Sequence, residues 1–319
     1  MLRDMGIIAI EEHYASARPE AGGPRRPVPA EIRDRMLDLG DGRIADMDAA
    51  GIEMQVLSLS AAGVGLLAPA DAVAFVREEN DRLAEAVARR PDRLAAFATL
   101  PMADPAAAAK ELERTVHELG FKGAMVNGHT DGRFLDDPSF RPILECAAAL
   151  DVPVYLHPAP PPEPVARAYF GGLPPAVSGA LATAAWGWHV ETGLHVLRVI
   201  AAGVLDRLPG LQLVVGHMGE ALPFMLARTT AALPRAVTGL ERSVAEYVRG
   251  NVHVTTSGFF TVPPFLTALL EVGADRIMLS VDYPFSPNQQ GRAFLDALPV
   301  SPADREKIAR GNAARLLHL

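Results

Sequence analysis

Eight short apolar runs rich in Val, Ile and Leu recur along this 319-residue chain, with helical patterns between them. They cover residues 7–10, 54–59, 94–98, 123–126, 154–157, 213–216, 252–255 and 277–280. Continuous apolar runs, as opposed to alternating ones, are the signature of parallel strands covered on both faces. Helical periodicity fills 71–90, 104–119, 141–150, 192–205 and 263–272. A last helix is expected over 302–317, with Ser301 as N-cap and Pro302 at its first position. Gly51, Gly120 and Gly273 stand where helices should stop. Eight strands alternating with helices predict an α/β fold of the (β/α)8 TIM-barrel type. No Gly-x-Gly-x-x-Gly follows the first strand, which argues against a doubly wound sheet. Such barrels commonly reach this length as one domain, so residues 1–319 are read as a single domain. Two Pro-rich segments interrupt the pattern, 15–35 after the first strand and an insertion, 158–185, after the fifth. A loop of the second one's length is usually a lid, a binding loop or an oligomer contact.

Composition narrows the function classes. The formal net charge is −8, which argues against nucleic acid or an anionic membrane as partner. No run of about 18 apolar residues is present, so no membrane-spanning helix is expected. The first residues lack the apolar run and cleavage site of a signal peptide. One cysteine, Cys146, excludes an intramolecular disulfide framework and a cysteine-based zinc site. The expectation is a cytoplasmic protein.

In such barrels chemistry sits at the C-terminal ends of the strands. The first strand ends Ile10-Glu11-Glu12-His13, and strand alternation sends Glu11 and His13 to one face and Glu12 to the other. The fifth ends Leu156-His157-Pro158, the sixth Gly216-His217-Met218-Gly219-Glu220, and the eighth Ser280-Val281-Asp282-Tyr283-Pro284. Carboxylates and imidazoles from four strands thus meet at one end, a ligand set for a divalent ion such as zinc or manganese. The other histidines are placed differently. His117 and His195 fall in helical patterns, His253 is mid-strand, His318 is terminal, and His129 and His189 lie in or next to loops.

These strand ends resemble the amidohydrolase superfamily, within it the metal-dependent decarboxylases typified by γ-resorcylate (2,6-dihydroxybenzoate) decarboxylase. Relatives of that branch include the 5-carboxyvanillate and aminocarboxymuconate semialdehyde decarboxylases. The resemblance runs from Glu11-Glu12-His13-Tyr14 through Trp186-Gly187-Trp188 and Gly216-His217-Met218-Gly219-Glu220. It continues to Ser280-Val281-Asp282-Tyr283-Pro284-Phe285 and Gly311-Asn312-Ala313. It implies Glu11, His13, His157 and Asp282 as ligands of one Zn2+ or Mn2+. It also implies His217 as a catalytic histidine, Glu220, one turn into the next helix, as its orienting partner, and Arg228 near the substrate carboxylate. The fourth strand ends Met125-Val126-Asn127 without the lysine that bridges two metals in binuclear members, so one ion is expected.

The reaction so implied is decarboxylation of a small aromatic carboxylic acid of hydroxybenzoate type. Asp282 would be both ligand and proton carrier, and His217, with Glu220, would act on the phenol. Trp186, Trp188, Phe259, Phe260 and Tyr283 are candidate walls for a flat ring, with Trp188 and Phe260 foremost. The same ligands would serve a hydrolase opening a lactone. Glu11, in place of the usual first histidine of the superfamily, favours decarboxylation. The resemblance also implies a homodimer or homotetramer, for which the 158–185 insertion offers surface.

Overall fold

The computed structural model describes residues 6–18, 28–60 and 64–319; residues 19–27 of the first Pro-rich segment lie outside them. Each of the eight runs expected as a strand contains one. In chain order the strands are β1 (Ile7–Tyr14), β2 (Ile52–Leu59), β3 (Leu94–Ala96), β4 (Ala98–Thr99), β5 (Ala124–Asn127), β6 (Val154–His157), β7 (Leu213–Val215), β8 (Val252–Thr255) and β9 (Ile277–Met278). All neighbours pair in parallel, in the orders β1-β2-β3 and β4-β5-β6-β7-β8-β9. β3 and β4 are halves of the third expected strand. At Phe97 the chain changes partner, with Phe97 N donating to Leu57 O at 2.9 Å and Ala98 N to Gly123 O at 2.8 Å.

The barrel closes where the chain beyond β9 runs beside β1. Asp282 N donates to Glu11 O at 3.1 Å and His13 N to Tyr283 O at 2.7 Å. The Glu12 side chain completes this seam, accepting from Val281 N at 2.8 Å and Tyr283 N at 3.0 Å. The buried Arg43 guanidinium adds Nη2 to His13 O at 2.7 Å and lies over the Tyr283 ring.

An irregularity in β1 decides which side chains face inward. Ala9 pairs with Gln55 and Glu12 with Leu57, so β1 carries one residue more than β2 between these points. Such a bulge reverses the alternation. Ile8 and Ile10 join the inner cluster with Val56, Phe97, Tyr155 and Met278, whereas Ile7 and Ala9 belong to the outer core. Past the bulge, Glu11 follows Ile10 toward the interior. The bottom of the barrel is stoppered by Ala313 and Leu317, which join the inner cluster.

Helix ends follow the residues expected of them. Ser301 accepts from Asp304 N, and Gly51 and Gly120 adopt left-handed conformations with φ of 66° and 72°. The final helix differs from expectation. It runs Pro302–Glu306, widens to a π-turn over Lys307–Gly311, and resumes over Asn312–Leu317. Within this wide turn the Ile308 carbonyl accepts Leu279 N at 2.8 Å, which ties the turn to the chain after β9. Asn312 Nδ2 then donates to Ala274 O and Ile277 O, both at 2.7 Å, so this helix pins the short β9. The insertion after β6 also differs from the expected irregular loop. It forms two helices, Glu163–Phe170 and Pro175–Ala182, each with Pro at its first turn.

Glu12 makes the seam testable. Replacing it with Ala leaves two buried N–H groups without an acceptor, at about 1–3 kcal/mol each. Glu12→Ala is therefore expected to lower unfolding free energy by about 2–6 kcal/mol, and Glu12→Gln, with one acceptor oxygen, by less. Urea unfolding of both variants checks the order.

Candidate active site

Glu11 lies wholly buried, and its two oxygens have opposite surroundings. Oε2 accepts from the hydroxyls of Tyr155 and Ser257, and from Thr255 Oγ1 at 3.3 Å. Oε1 has no hydrogen-bond partner and lies 3.5 Å from His157 Nε2. Gly216 makes room for this carboxylate, because a Cβ there would come within 2.6 Å of Oε2. Burial pushes the Glu11 carboxyl up, and His217 opposes that rise.

The imidazoles present free nitrogens to the same space. His157 Nδ1 donates to Pro158 O at 2.8 Å, which leaves Nε2 facing Glu11. Burial, then the nearby His13 and His217, hold His157 well below the ordinary imidazole range, so it is neutral and its Nε2 lone pair is available. His13 places Nδ1 3.2 Å from Ser58 Oγ, its neighbour across the β1–β2 register. His13 Nε2 is 3.2 Å from Asp282 Oδ1 but is not aligned as a hydrogen bond. The His13 and His157 rings meet edge to face at 4.9 Å.

Asp282 sits in the left-handed region with φ of 67°, immediately after the buried Val281. Burial alone would raise its carboxyl, but His13 and His217 hold it well below the usual range. His217 Nε2 is 3.8 Å from Asp282 Oδ2, and its Nδ1 is 2.7 Å from Glu220 Oε1. Burial opposes charge on His217, yet Glu220, Glu11 and Asp282 together raise it well above the ordinary imidazole value.

The donor atoms of Glu11, His13 and His157 lie within 4.8 Å of one another, as do those of Glu11, His217 and Asp282. Two buried polar atoms without hydrogen-bond partners, Glu11 Oε1 and His13 Nε2, face this shared space. A buried polar atom left unpaired is costly, and a divalent cation would satisfy both. The residues present therefore fit one ion bound by oxygen and nitrogen.

Several expectations need correction. Glu220 is not one turn into a helix; it precedes the helix Leu222–Ala232 in a left-handed conformation with φ of 53°. Phe260 turns away from the site and packs on Phe294 at 5.7 Å. Its neighbour Phe259 meets the rings of His217 at 5.8 Å and His189 at 5.5 Å instead. Arg228 is exposed on the helix Leu222–Ala232, with no polar contact to the site among the described residues. Trp188 is half-buried and points its Nε1 at His189 Nε2, 3.1 Å away. His189 is helical, near the start of Gly187–Ala201, and its Nδ1 lies 2.7 Å from Glu220 Oε2.

Sequence reasoning passed over Tyr155, Thr255 and Ser257. A signal was available, because Tyr155 is two residues before His157 and so shares its face, and Thr255 and Ser257 are likewise spaced by two. Phe285, against His13 at 5.8 Å, adds a half-exposed aromatic at the mouth.

A sequence profile of the amidohydrolase family matches residues 27–319. The γ-resorcylate decarboxylase of Rhizobium radiobacter is 41% identical over 329 residues, covering 98% of either chain. The crystal structure of 2,6-dihydroxybenzoate decarboxylase from Rhizobium superposes with a TM-score of 0.90 at 40% identity, covering 98% of this chain and 99% of its own. The crystal structure of the dihydroxybenzoic acid decarboxylase from Polaromonas sp. JS666 contains bound manganese and the inhibitor 2-nitroresorcinol. It gives a TM-score of 0.90 at 39% identity, covering 98% of this chain and 97% of its own. On the profile, which spans nearly the whole sequence, and on these relatives, the chain belongs to the amidohydrolase family.

Proposed function

We propose that this protein is a carboxy-lyase that removes CO2 from a hydroxybenzoate-type acid with the help of one divalent ion. The observation that carries this reading is the pair of buried polar atoms without hydrogen-bond partners, Glu11 Oε1 and His13 Nε2, beside His157, Asp282 and His217. The similar decarboxylases supply the substrate class, and the manganese of the Polaromonas enzyme supplies the metal class, with zinc as the other candidate. Glu11, His13, His157 and Asp282 would hold the ion. When bound, it supplies Lewis acidity and a template for a carboxylate and its ortho-hydroxyl.

The remaining chemistry belongs to side chains. Asp282, an anion in the resting site, takes up a proton from His217 Nε2, 3.8 Å away, and delivers it to the ring carbon that bears the carboxylate. The carbon–carbon bond then breaks, its electron pair restores the aromatic ring, and CO2 leaves. His217 Nε2, 3.8 Å from Asp282 Oδ2, is near enough to share the phenol proton and to return a proton to Asp282. Glu220 fixes the His217 tautomer through Nδ1. Phe259, one of the aromatics expected there, and Phe285 are the side chains best placed to flank a flat ring.

CO2 release from 2,6-dihydroxybenzoate and a panel of other hydroxybenzoates tests the reading. Turnover should depend on a stoichiometric metal and fail in chelator. Asp282→Asn should stay folded and lose nearly all turnover, and His217→Asn should lose about 10²- to 10⁴-fold. Hydrolysis of a lactone, with no CO2 from any acid, would replace this function with the hydrolase.

Tyr155→Phe removes one hydroxyl from Glu11 and is expected to weaken metal binding about 10- to 100-fold, read by metal titration.

A homo-oligomer and a cytoplasmic setting complete the proposal. The insertion exposes Tyr169, Leu173 and Val177, with Trp186 just beyond, and these apolar side chains support a self-association surface. Light scattering should give a mass well above the 34.0 kDa chain. The lone cysteine, Cys146, is in keeping with a reducing compartment, and among the described residues no helix is long and apolar enough to cross a membrane.

A further inference from the structure

Glu220 is shared. Its Oε1 is 2.7 Å from His217 Nδ1, and its Oε2 is 2.7 Å from Nδ1 of a second imidazole, His189. The carboxylate is wholly buried, and these two rings are its side-chain hydrogen-bond partners among the described residues. The rings meet edge to face with centroids 4.9 Å apart. We propose that His189 is a positioning residue for His217, acting through the far oxygen of Glu220.

The geometry gives His189 this task and no direct part in the chemistry. With Nδ1 directed at Glu220, its Nε2 is left beside Trp188 Nε1 at 3.1 Å and Ala184 O at 3.0 Å, so both ring nitrogens are engaged by the protein. The backbone brings the helix close enough for this. Gly193, one helical turn after His189 and on the same face, lies against the Glu220 carbonyl, where a Cβ would approach to 2.6 Å. The helix Gly187–Ala201 therefore rests directly on the turn that carries Glu220. Without His189, Oε2 would be a buried anionic oxygen with no donor, free to rotate toward His217 or to recruit water. With it, the carboxylate is held from both ends. His217 is then fixed with Nδ1–H toward Glu220 and Nε2 toward Asp282 and the reacting ring.

This inference rests on the decarboxylase reading for its kinetic consequence alone; the shared carboxylate can be tested separately. With 2,6-dihydroxybenzoate or the best acid of the panel, His189→Ala is expected to lower kcat about tenfold or more with KM nearly unchanged. His189→Asn, whose side-chain N–H reaches about where Nδ1–H does, should recover most of the loss. If His189→Ala fails to fold, His189→Gln takes its place, since its longer amide overshoots that point. Wild-type kcat in folded His189→Ala overturns the proposal. So does a rise in KM alone, which would make His189 a substrate contact, or equal impairment in the Ala and Asn variants. Histidine 15N NMR of the zinc-exchanged protein supplies the readout independent of turnover. Two slowly exchanging imidazole N–H signals are expected, one from His217 and one from His189. His189→Asn should remove one and preserve the other, and His189→Ala should also shift the His217 signal and speed its exchange. A His217 signal indifferent to His189→Ala overturns the sharing even if CO2 is released. Absence of CO2 release with the NMR pattern intact overturns the function and leaves the sharing in place.

Discussion

The seam between β1 and the chain beyond β9 is the constraint on which the rest depends. β9 itself is two residues long, too short to close a barrel by its own ladder. Closure therefore passes to side chains: Glu12 accepts the N–H groups of Val281 and Tyr283, and Asn312 donates to carbonyls at the start of the strand. Burial pushes the Glu12 carboxyl up, while those two N–H groups and Arg43 pull it back. The consequence for the site is direct. Asp282 is the residue between the two that Glu12 holds, and Glu11 and His13 are the residues on either side of Glu12. One outward-facing carboxylate thus sets the spacing of three inward-facing polar groups.

A second constraint lies in the backbone from His217 to Ala221. Five successive residues there have positive φ, at 47°, 58°, 86°, 53° and 63°, and only the third is glycine. A left-handed conformation costs a residue with a Cβ about 1–2 kcal/mol, so the segment needs support from its surroundings. The support is visible on both sides. Gly219 N donates to Gly216 O at 2.7 Å, and a Cβ at Gly219 would crowd Pro223 and Val254. On the other side, Glu220 joins the turn to the helix that carries His189 and Gly193. The left-handed winding turns His217 and Glu220 toward each other within three residues, which neither a strand nor a right-handed turn would do in the same way.

Much of this was legible in the chain, because parallel strands buried on both faces leave uninterrupted apolar runs. All eight strand positions, and Glu11, His13, His157, His217 and Asp282 at their ends, followed from that pattern and from the resemblance. Local irregularity was less legible. The bulge in β1 is invisible to a period-two reading, which places Glu11 and His13 on one face correctly but cannot show that Ile8 and Ile10 share it. Phe259 and Phe260 are both candidates in the sequence, because nothing in a loop after β8 announces which of two adjacent rings turns inward. The 158–185 segment read as irregular because its prolines suggest loops, whereas two of them open helices. His189 falls next to a loop in the sequence because the helical pattern is clear only from 192, whereas the helix begins at Gly187, and its partner Glu220 is 31 residues away.

The two buried carboxylates of the site show how a common chemical group is given opposite tasks. Glu11 and Glu220 are both wholly excluded from solvent. Glu220 has an imidazole partner on each oxygen, and it both orients His217 and raises that ring's affinity for a proton. Glu11 has three hydroxyl donors gathered on Oε2 and none on Oε1. Those hydroxyls hold the carboxylate still, and the oxygen that faces His157 is left without a donor. A divalent ion would relieve that oxygen and take up the His157 Nε2 lone pair beside it. The difference between a structural carboxylate and a metal-binding one is here a matter of donor count per oxygen. The distribution of hydroxyls along β6 and β8 therefore shapes the chemistry as much as the identity of the acid.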